Sequence, residues 1–457
     1  MNVNWTEHRC KIMMVLTAAH LLTGAIAHAH PHHPPQPPAP PPVSKSALIS
    51  AETPRQATAA LHREIAFYQA RIRTNPEDGL DRAALASLYV QMAKVTGDDH
   101  WYEQAAQTAQ DSLARLPFAN QGAQLVLARV AEAKHEFAET LRLTTLVLQE
   151  QPTHPEALAL QVTTYLAQGQ LDAADRTVQA LIEKTPTLGT LTLRALVYEA
   201  QGQDQAALQA FQQALTLQEP DDSNKIARIH TLLGRFYARR GELAVAEEQY
   251  QAALQVQPHS PLARLHLAEL NLRQGRLPAA AELYTQLYSD PAAAQGLEHD
   301  ALYGMAQVKV LQGDRQAAEI LWHQAETHLR EDHAEGSFGH RRDLAQLLLA
   351  RGNRDDLPEA LRLMEAEVQN RRDSQTLDTL AWALSRVERW QDAQKALQAA
   401  IDLGTREAGI FYRAGTVAKA LGRKDAAISH FQKAQAINPT LNQRDLHLLG
   451  ITAGTQP

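Results

Sequence analysis

Between Ala227 and Ser260 the apolar residues fall into two bursts at helical spacing, separated by a polar turn. In the first burst Leu233 and Tyr237 stand four apart on one stripe, and Gly234 beside them removes side-chain bulk where a second helix must come close. Gly241 follows the last periodic residue, where a left-handed backbone stops a helix without a Cβ clash. In the second burst Ala246, Tyr250 and Ala253 share a face, with Ala246 small enough to lie where two helices cross, and Pro258 ends the run. The pattern predicts a helix–turn–helix unit. Such a unit cannot bury its apolar face alone, so copies must stack on it in one dimension.

The same pattern recurs in phase along most of the chain. An amphipathic segment over 56–78, with Ile65, Tyr68 and Ile72 on one stripe, predicts a lone capping helix. Leu85, Ala86, Tyr89 and Ala105 form the first full unit, with VTGDDHW inserted between its helices. The unit from Gln121 to His154 is degenerate, holding His135 where glycine is usual and Thr140 where alanine is usual. Tyr165, Gly169 and Ala174 return to phase, followed by Tyr198, Gly202, Ala207 and Phe211. The acidic, turn-forming stretch from Glu219 to Lys225 predicts a bend between two subarrays, 79–221 and 227–441. Further units carry Gly275, Ala280 and Tyr284, then Gly313, Ala318 and Trp322. A short insertion at NRDDL delays Ala360, Ser337 is a candidate helix cap, and Ala393 and Ala427 mark the last two units. The tail over 442–457 is expected to cap the stack and fray.

The slots Leu233, Gly234, Tyr237, Ala246, Tyr250 and Pro258 resemble the tetratricopeptide repeat, whose period is about 34 residues, with His230 where that family places tryptophan. The resemblance spans Thr58 to Asn442. It implies an all-α, right-handed superhelical solenoid of about ten repeats, whose concave groove binds peptides or protein surfaces through first-helix residues outside the packing slots. Mapped onto this chain, those positions are Arg228, Thr231, Arg235, Ala238 and Arg239, then Leu265, Glu269, Leu272 and Arg273. Further on they are Tyr303, Gln307, Arg342, Gln346, Asp378, Trp382 and Arg386, with Trp382 expected to project and Trp390 to be core. Arg228, Arg235 and Arg239 share one helix face, and Arg273 follows Arg239 by one repeat (273 − 239 = 34), which predicts a basic strip suited to an acidic segment of a partner. The chain departs from those members that grip a chain terminus with paired lysines and asparagines.

Composition narrows the function further. A hydrophobic content of 44% with only 5% aromatic residues suits close-packed Ala and Leu helices rather than a barrel or sandwich. The formal charge of −7 argues against a nucleic-acid partner. The apolar run from Ile12 to Ala27 reads as a secretory signal peptide over 1–29, of the exported bacterial type, and places the protein in the periplasm or outside the cell. An uncleaved inner-membrane anchor is the alternative. The only cysteine, Cys10, precedes that run, so the mature chain has no thiol. Residues 30–55 form a His/Pro-rich linker, and His28, His30, His32 and His33 are candidate copper or nickel ligands. No metalloprotease, nucleophile-elbow or phosphate-loop motif occurs, so neither catalysis nor a cofactor is expected. His340, Arg341, Arg342 and Asp343 with Arg371, Arg372 and Asp373 form the densest charged grouping, read as an ion-pair lattice between neighbouring helices. The favoured function is a protein-interaction scaffold in the cell envelope. The alternative is a metal-handling protein that works through its His-rich N-terminus.

Overall fold

The computed structural model describes residues 54–217, 223–289, 296–334 and 340–451. The segment expected to be a signal peptide, the His28–His33 tract, Ser337 and most of the predicted bend lie outside these residues. Among the described residues there are 22 α-helices and no strand, and no helix is long and apolar enough to cross a membrane. A leading helix, Pro54–Thr74, precedes ten antiparallel pairs. The first five pairs are Gly79–Thr96 with His100–Arg115, Gln121–Ala133 with Phe137–Glu150, Pro155–Ala167 with Leu171–Lys184, Leu188–Ala200 with Asp204–Thr216, and Ser223–Arg239 with Leu243–Val256. The next three are Pro261–Arg273 with Leu277–Ser289, Glu298–Leu311 with Arg315–Ala334, and Arg341–Arg351 with Leu357–Asn370. Ser374–Arg386 with Trp390–Asp402 and Ala408–Ala420 with Lys424–Ile437 complete the set, and a short helix, Gln443–Leu448, closes it.

The small-residue slot explains why each pair packs as it does. Ala105, Thr140, Ala174, Ala207, Ala246, Ala280, Ala318, Ala360, Ala393 and Ala427 occupy it in the ten second helices, and all are buried. Thr140 fits because its hydroxyl donates to the Glu136 carbonyl 3.3 Å away, satisfying the extra polar atom within its own helix. Gly234 is obligatory, since a Cβ there would collide with the Tyr250 ring. The insertions are absorbed locally. NRDDL becomes a 3-10 turn, Arg354–Asp356, and one apolar cluster runs from Leu188 to Leu270 across the predicted bend, so packing continues on both sides of it. The tail differs from expectation up to Ile451. Asn442 caps the last helix through both the Arg444 and Asp445 amides, and Leu446 and Ile451 are buried.

The pairs wind into a superhelix whose successive turns touch. The left-handed turn residue inside one pair meets the loop that follows the pair five further on. Gly97 lies against Gly296, Gly169 against Arg372, Gly202 against Gly404, and Gly241 against Asn438 and Thr440. The Arg372 amide donates to the Ala167 carbonyl at 2.8 Å, and the Thr440 hydroxyl donates to the Gly241 carbonyl 199 residues away. Nothing described lies within 4 Å of a Cβ built on Gly313 or Gly422. In the second pair the turn residue is His135, at φ 57, and its Nδ1 lies 3.1 Å from Oε1 of the fully buried Glu367.

Ion pairs reinforce this seam in two alternating triads. Arg239 sits between Glu199 at 3.3 Å and Glu407 at 3.6 Å, while Asp204 sits between Arg240 at 2.9 Å and Arg406 at 3.0 Å. Each triad crosses from one superhelical turn to the next.

Glycine at the seam has a measurable consequence. Gly202→Ala and Gly422→Ala both place a Cβ on a left-handed residue, costing about 1 kcal/mol each. Only Gly202→Ala also drives that Cβ into the Gly404 carbonyl, adding about 1–3 kcal/mol and parting the turns. Urea unfolding should therefore rank Gly202→Ala clearly below Gly422→Ala, and small-angle scattering should show expansion for the former alone. Equal stabilities would mean the seam contributes nothing.

His230 supplies a pH test of the reference pair. It is buried and its Nδ1 lies 2.9 Å from Gln249 Oε1, an atom that only accepts, so Nδ1 carries the proton. Burial lowers the His230 pKa against the opposing pull of that hydrogen bond. The unfolded chain binds a proton near pH 6.5 that the folded chain refuses, so stability is full above that value and falls as the pH drops below it. His230→Phe should show a shallower loss of stability between pH 7 and 5 than the parent. Identical slopes would show that His230 charges freely in the fold.

Candidate functional site

The first helices of the central pairs present their remaining residues to the inner wall of the superhelix, and most of these are already engaged. Arg239 belongs to the seam triad, and its two carboxylate partners hold its pKa up against burial. Arg273 donates from Nη1 to the Ala238 carbonyl and from Nε to Asp445, both at 2.8 Å. The expected continuous basic strip is thereby broken, because two of its four members are neutralised from within the chain.

Arg228 and Arg235 remain. Arg228 is exposed, and Arg235 is half-buried. The strongest influence on Arg235 is its like-charged neighbour Arg239, followed by burial; together they lower its pKa despite Glu199 and Glu269. Among the described residues no carboxylate forms an ion pair with either arginine. Glu269 lies nearby on the wall, its Oε2 2.8 Å from His266 Nδ1, and although burial opposes it, His266, Arg235 and Arg273 keep its carboxyl below the ordinary range.

Several other expected groove residues are structural. Gln307 is buried and donates to the Tyr303 hydroxyl at 2.9 Å. Burial pushes the Tyr303 phenol up to about 12, against that hydrogen bond. Arg386 donates to the Leu349 carbonyl at 3.2 Å, serving the end of the preceding first helix. Gln346 donates to the Thr379 hydroxyl, and Asp378 pairs with Arg413 at 2.8 Å. Trp382, expected to project, is buried instead. The chain's own C-terminal segment covers it: a Cβ on Gly450 would strike the indole, and Arg413, lying over the ring at 5.3 Å, donates to the Leu449 carbonyl. Trp390 is only partly buried.

The charged grouping near Arg342 is a lattice, as its composition suggests. Arg342 approaches Asp343 at 3.8 Å and Asp373 at 3.9 Å, and Arg371 reaches Asp373 at 2.5 Å. Arg341 adds a 3.7 Å approach to Glu367, the carboxylate that His135 meets from the other superhelical turn. Burial tends to raise the Asp343 carboxyl, but the His340 hydrogen bond and the Arg342 charge together hold it well below the usual carboxylate range.

The two wall arginines differ in what they support. Arg239→Glu sets a third carboxylate between Glu199 and Glu407 and should cost about 3 kcal/mol. Arg235→Gln removes the repulsion from Arg239 together with the weaker attraction to Glu199 and Glu269, and should leave stability close to the parent. Chemical denaturation of the two single variants measures this, and equal losses would contradict the placement of Arg239 in the seam.

The tetratricopeptide repeat family matches residues 159–223, 231–297 and 379–442. No curated protein matches the chain. Among solved structures, the chain is similar to the APC/C hetero-tetramer Cut9-Hcn1, with a TM-score of 0.42 and 13% identity over 87% of this chain and 83% of that one. It is also similar to the human IFIT1 dimer with PPP-AAAA, with a TM-score of 0.45 and 14% identity over 85% of this chain and 92% of that one.

Proposed function

Because the chain is a tetratricopeptide-repeat protein, we propose that it is a protein-interaction scaffold of the cell envelope that receives an acidic segment on its inner wall at Arg228 and Arg235. The single observation behind this reading is the Arg235–Arg239 pairing. Two guanidinium groups share one wall, and among the described residues only Arg239 of the two forms ion pairs, with Glu199 and Glu407, while Glu199 and Glu269 act on Arg235 from farther off. An incoming carboxylate would relieve that repulsion through the planar fork that arginine offers. The apolar run from Ile12 to Ala27 supports the envelope location.

The test uses a short fluorescent oligo-glutamate peptide. The parent should bind it more weakly as salt rises, and Arg228→Ala with Arg235→Ala should weaken binding at least tenfold without changing the melting temperature. Undiminished binding by the double variant would move the docking surface elsewhere. Recovery of the intact chain, with Met1 retained, from the cytoplasm would remove the envelope location.

A further inference from the structure

The departures from the repeat pattern converge on one place. The insertion in the first pair contributes Gly97 and Asp99, and the helix that follows it contributes Tyr102. The seventh pair contributes His299, Asp300 and His328, and the start of the eighth brings His340 and Asp343. Together they line a cavity of about 420 Å³, at the first point where successive superhelical turns meet. The family match covers neither the first, the seventh nor the eighth pair beyond residue 297 and before 379.

From this convergence we infer a divalent transition-metal site, of the zinc class, formed by His299, His340 and Asp343 in that cavity. One ligand atom from each of the three lies within 4.8 Å of the others. His340 Nδ1 and Asp343 Oδ2 share a long hydrogen bond of 3.5 Å. Two ligand atoms held by one tetrahedral zinc at about 2.1 Å lie about 3.4 Å apart, so this separation already has the spacing that a shared ion imposes. The His299 and His340 rings meet edge to face, with centroids 5.1 Å apart, so a ring rotation rather than a backbone shift brings the third ligand in.

Charge and support favour a cation. Asp99, Glu298, Asp300 and Asp343 line the cavity against the single lysine Lys94. The helices beginning at Glu298 and Arg341 each direct a partial positive charge of about half a unit toward the site, which four carboxylates outweigh. Arg342 approaches Asp343 on the Oδ1 side at 3.8 Å, leaving Oδ2 for the ion. Asp300 Oδ2 stands 3.4 Å from His299 Nε2 and adds negative charge beside that imidazole. Two imidazoles and one carboxylate suit zinc and its neighbours, and the fourth position opens on the cavity.

The test must exclude the separate His28–His33 tract, so it uses the full chain with His28, His30, His32 and His33 changed to Ala. This protein should retain one Zn²⁺ per chain after dialysis, should give the visible absorption of tetrahedral Co²⁺ when loaded with cobalt, and should melt higher as zinc is added. His299→Ala, or the nearly isosteric Asp343→Asn should the former fail to fold, should weaken zinc binding at least tenfold and abolish the cobalt band. Failure of the tract-free protein to retain zinc overturns the site, as does parental affinity in a folded His299→Ala or Asp343→Asn variant.

Discussion

The architecture depends on one constraint: the left-handed turn residues of the first, third and fourth pairs, Gly97, Gly169 and Gly202, must lie flush against backbone belonging to the next superhelical turn. At Gly169 and Gly202 the neighbour is a carbonyl oxygen, and no side chain fits between them. A solenoid that only stacked nearest neighbours would tolerate bulk at its turns, because those turns would face solvent. Here the turns are interior. Closure converts a one-dimensional array into a body with contacts between residues some two hundred positions apart, such as Gly241 with Thr440. Its cooperativity should accordingly exceed that of a simple chain of repeats.

The second pair shows how the constraint is met without glycine. His135 adopts the left-handed conformation at the expense of a Cβ clash of about 1 kcal/mol. Its imidazole reaches Glu367, which is fully buried and has, among the described residues, one other ion pair, the 3.7 Å approach of Arg341. Removing a partner from such a carboxylate costs about 3 kcal/mol, so the histidine stabilises more than its backbone strain costs. What the repeat pattern marks as degenerate is therefore a substitution of one seam contact for another.

Much of this was legible in the sequence, for a physical reason. The packing slots are set by local geometry: a small residue is needed where helices cross, so Ala246 and its counterparts announce themselves by spacing. The lattice of Arg342, Arg371 and Asp373 was legible for the same reason, since adjacent repeats bring it together. Seam partners were not. Gly202 serves as a helix stop whether or not Gly404 lies behind it, and the pitch that brings them together accumulates from small rotations over five repeats. Trp382 was misplaced because its cover, Leu449 and Gly450, belongs to a tail whose position the repeat pattern does not govern. Arg239 and Arg273 carry the right spacing for a basic strip, yet their partners Glu407 and Asp445 lie across the seam.

The seam also constrains how the inner wall can bind. Arg239 is shared between Glu199 on its own superhelical turn and Glu407 on the next, and Arg273 is similarly tied to Asp445. A carboxylate that approached either arginine would compete with these internal partners and weaken the contact between turns. Arg235 is different, because its binding of an anion screens Arg239 from a like charge without breaking an ion pair of the seam. By linkage, a ligand at Arg235 should therefore strengthen closure, while a ligand at Arg239 should loosen it. The same wall thus discriminates between a segment that settles on the closed superhelix and one that must open it, and the difference rests on which of two arginines, one helical turn apart, has carboxylates of its own.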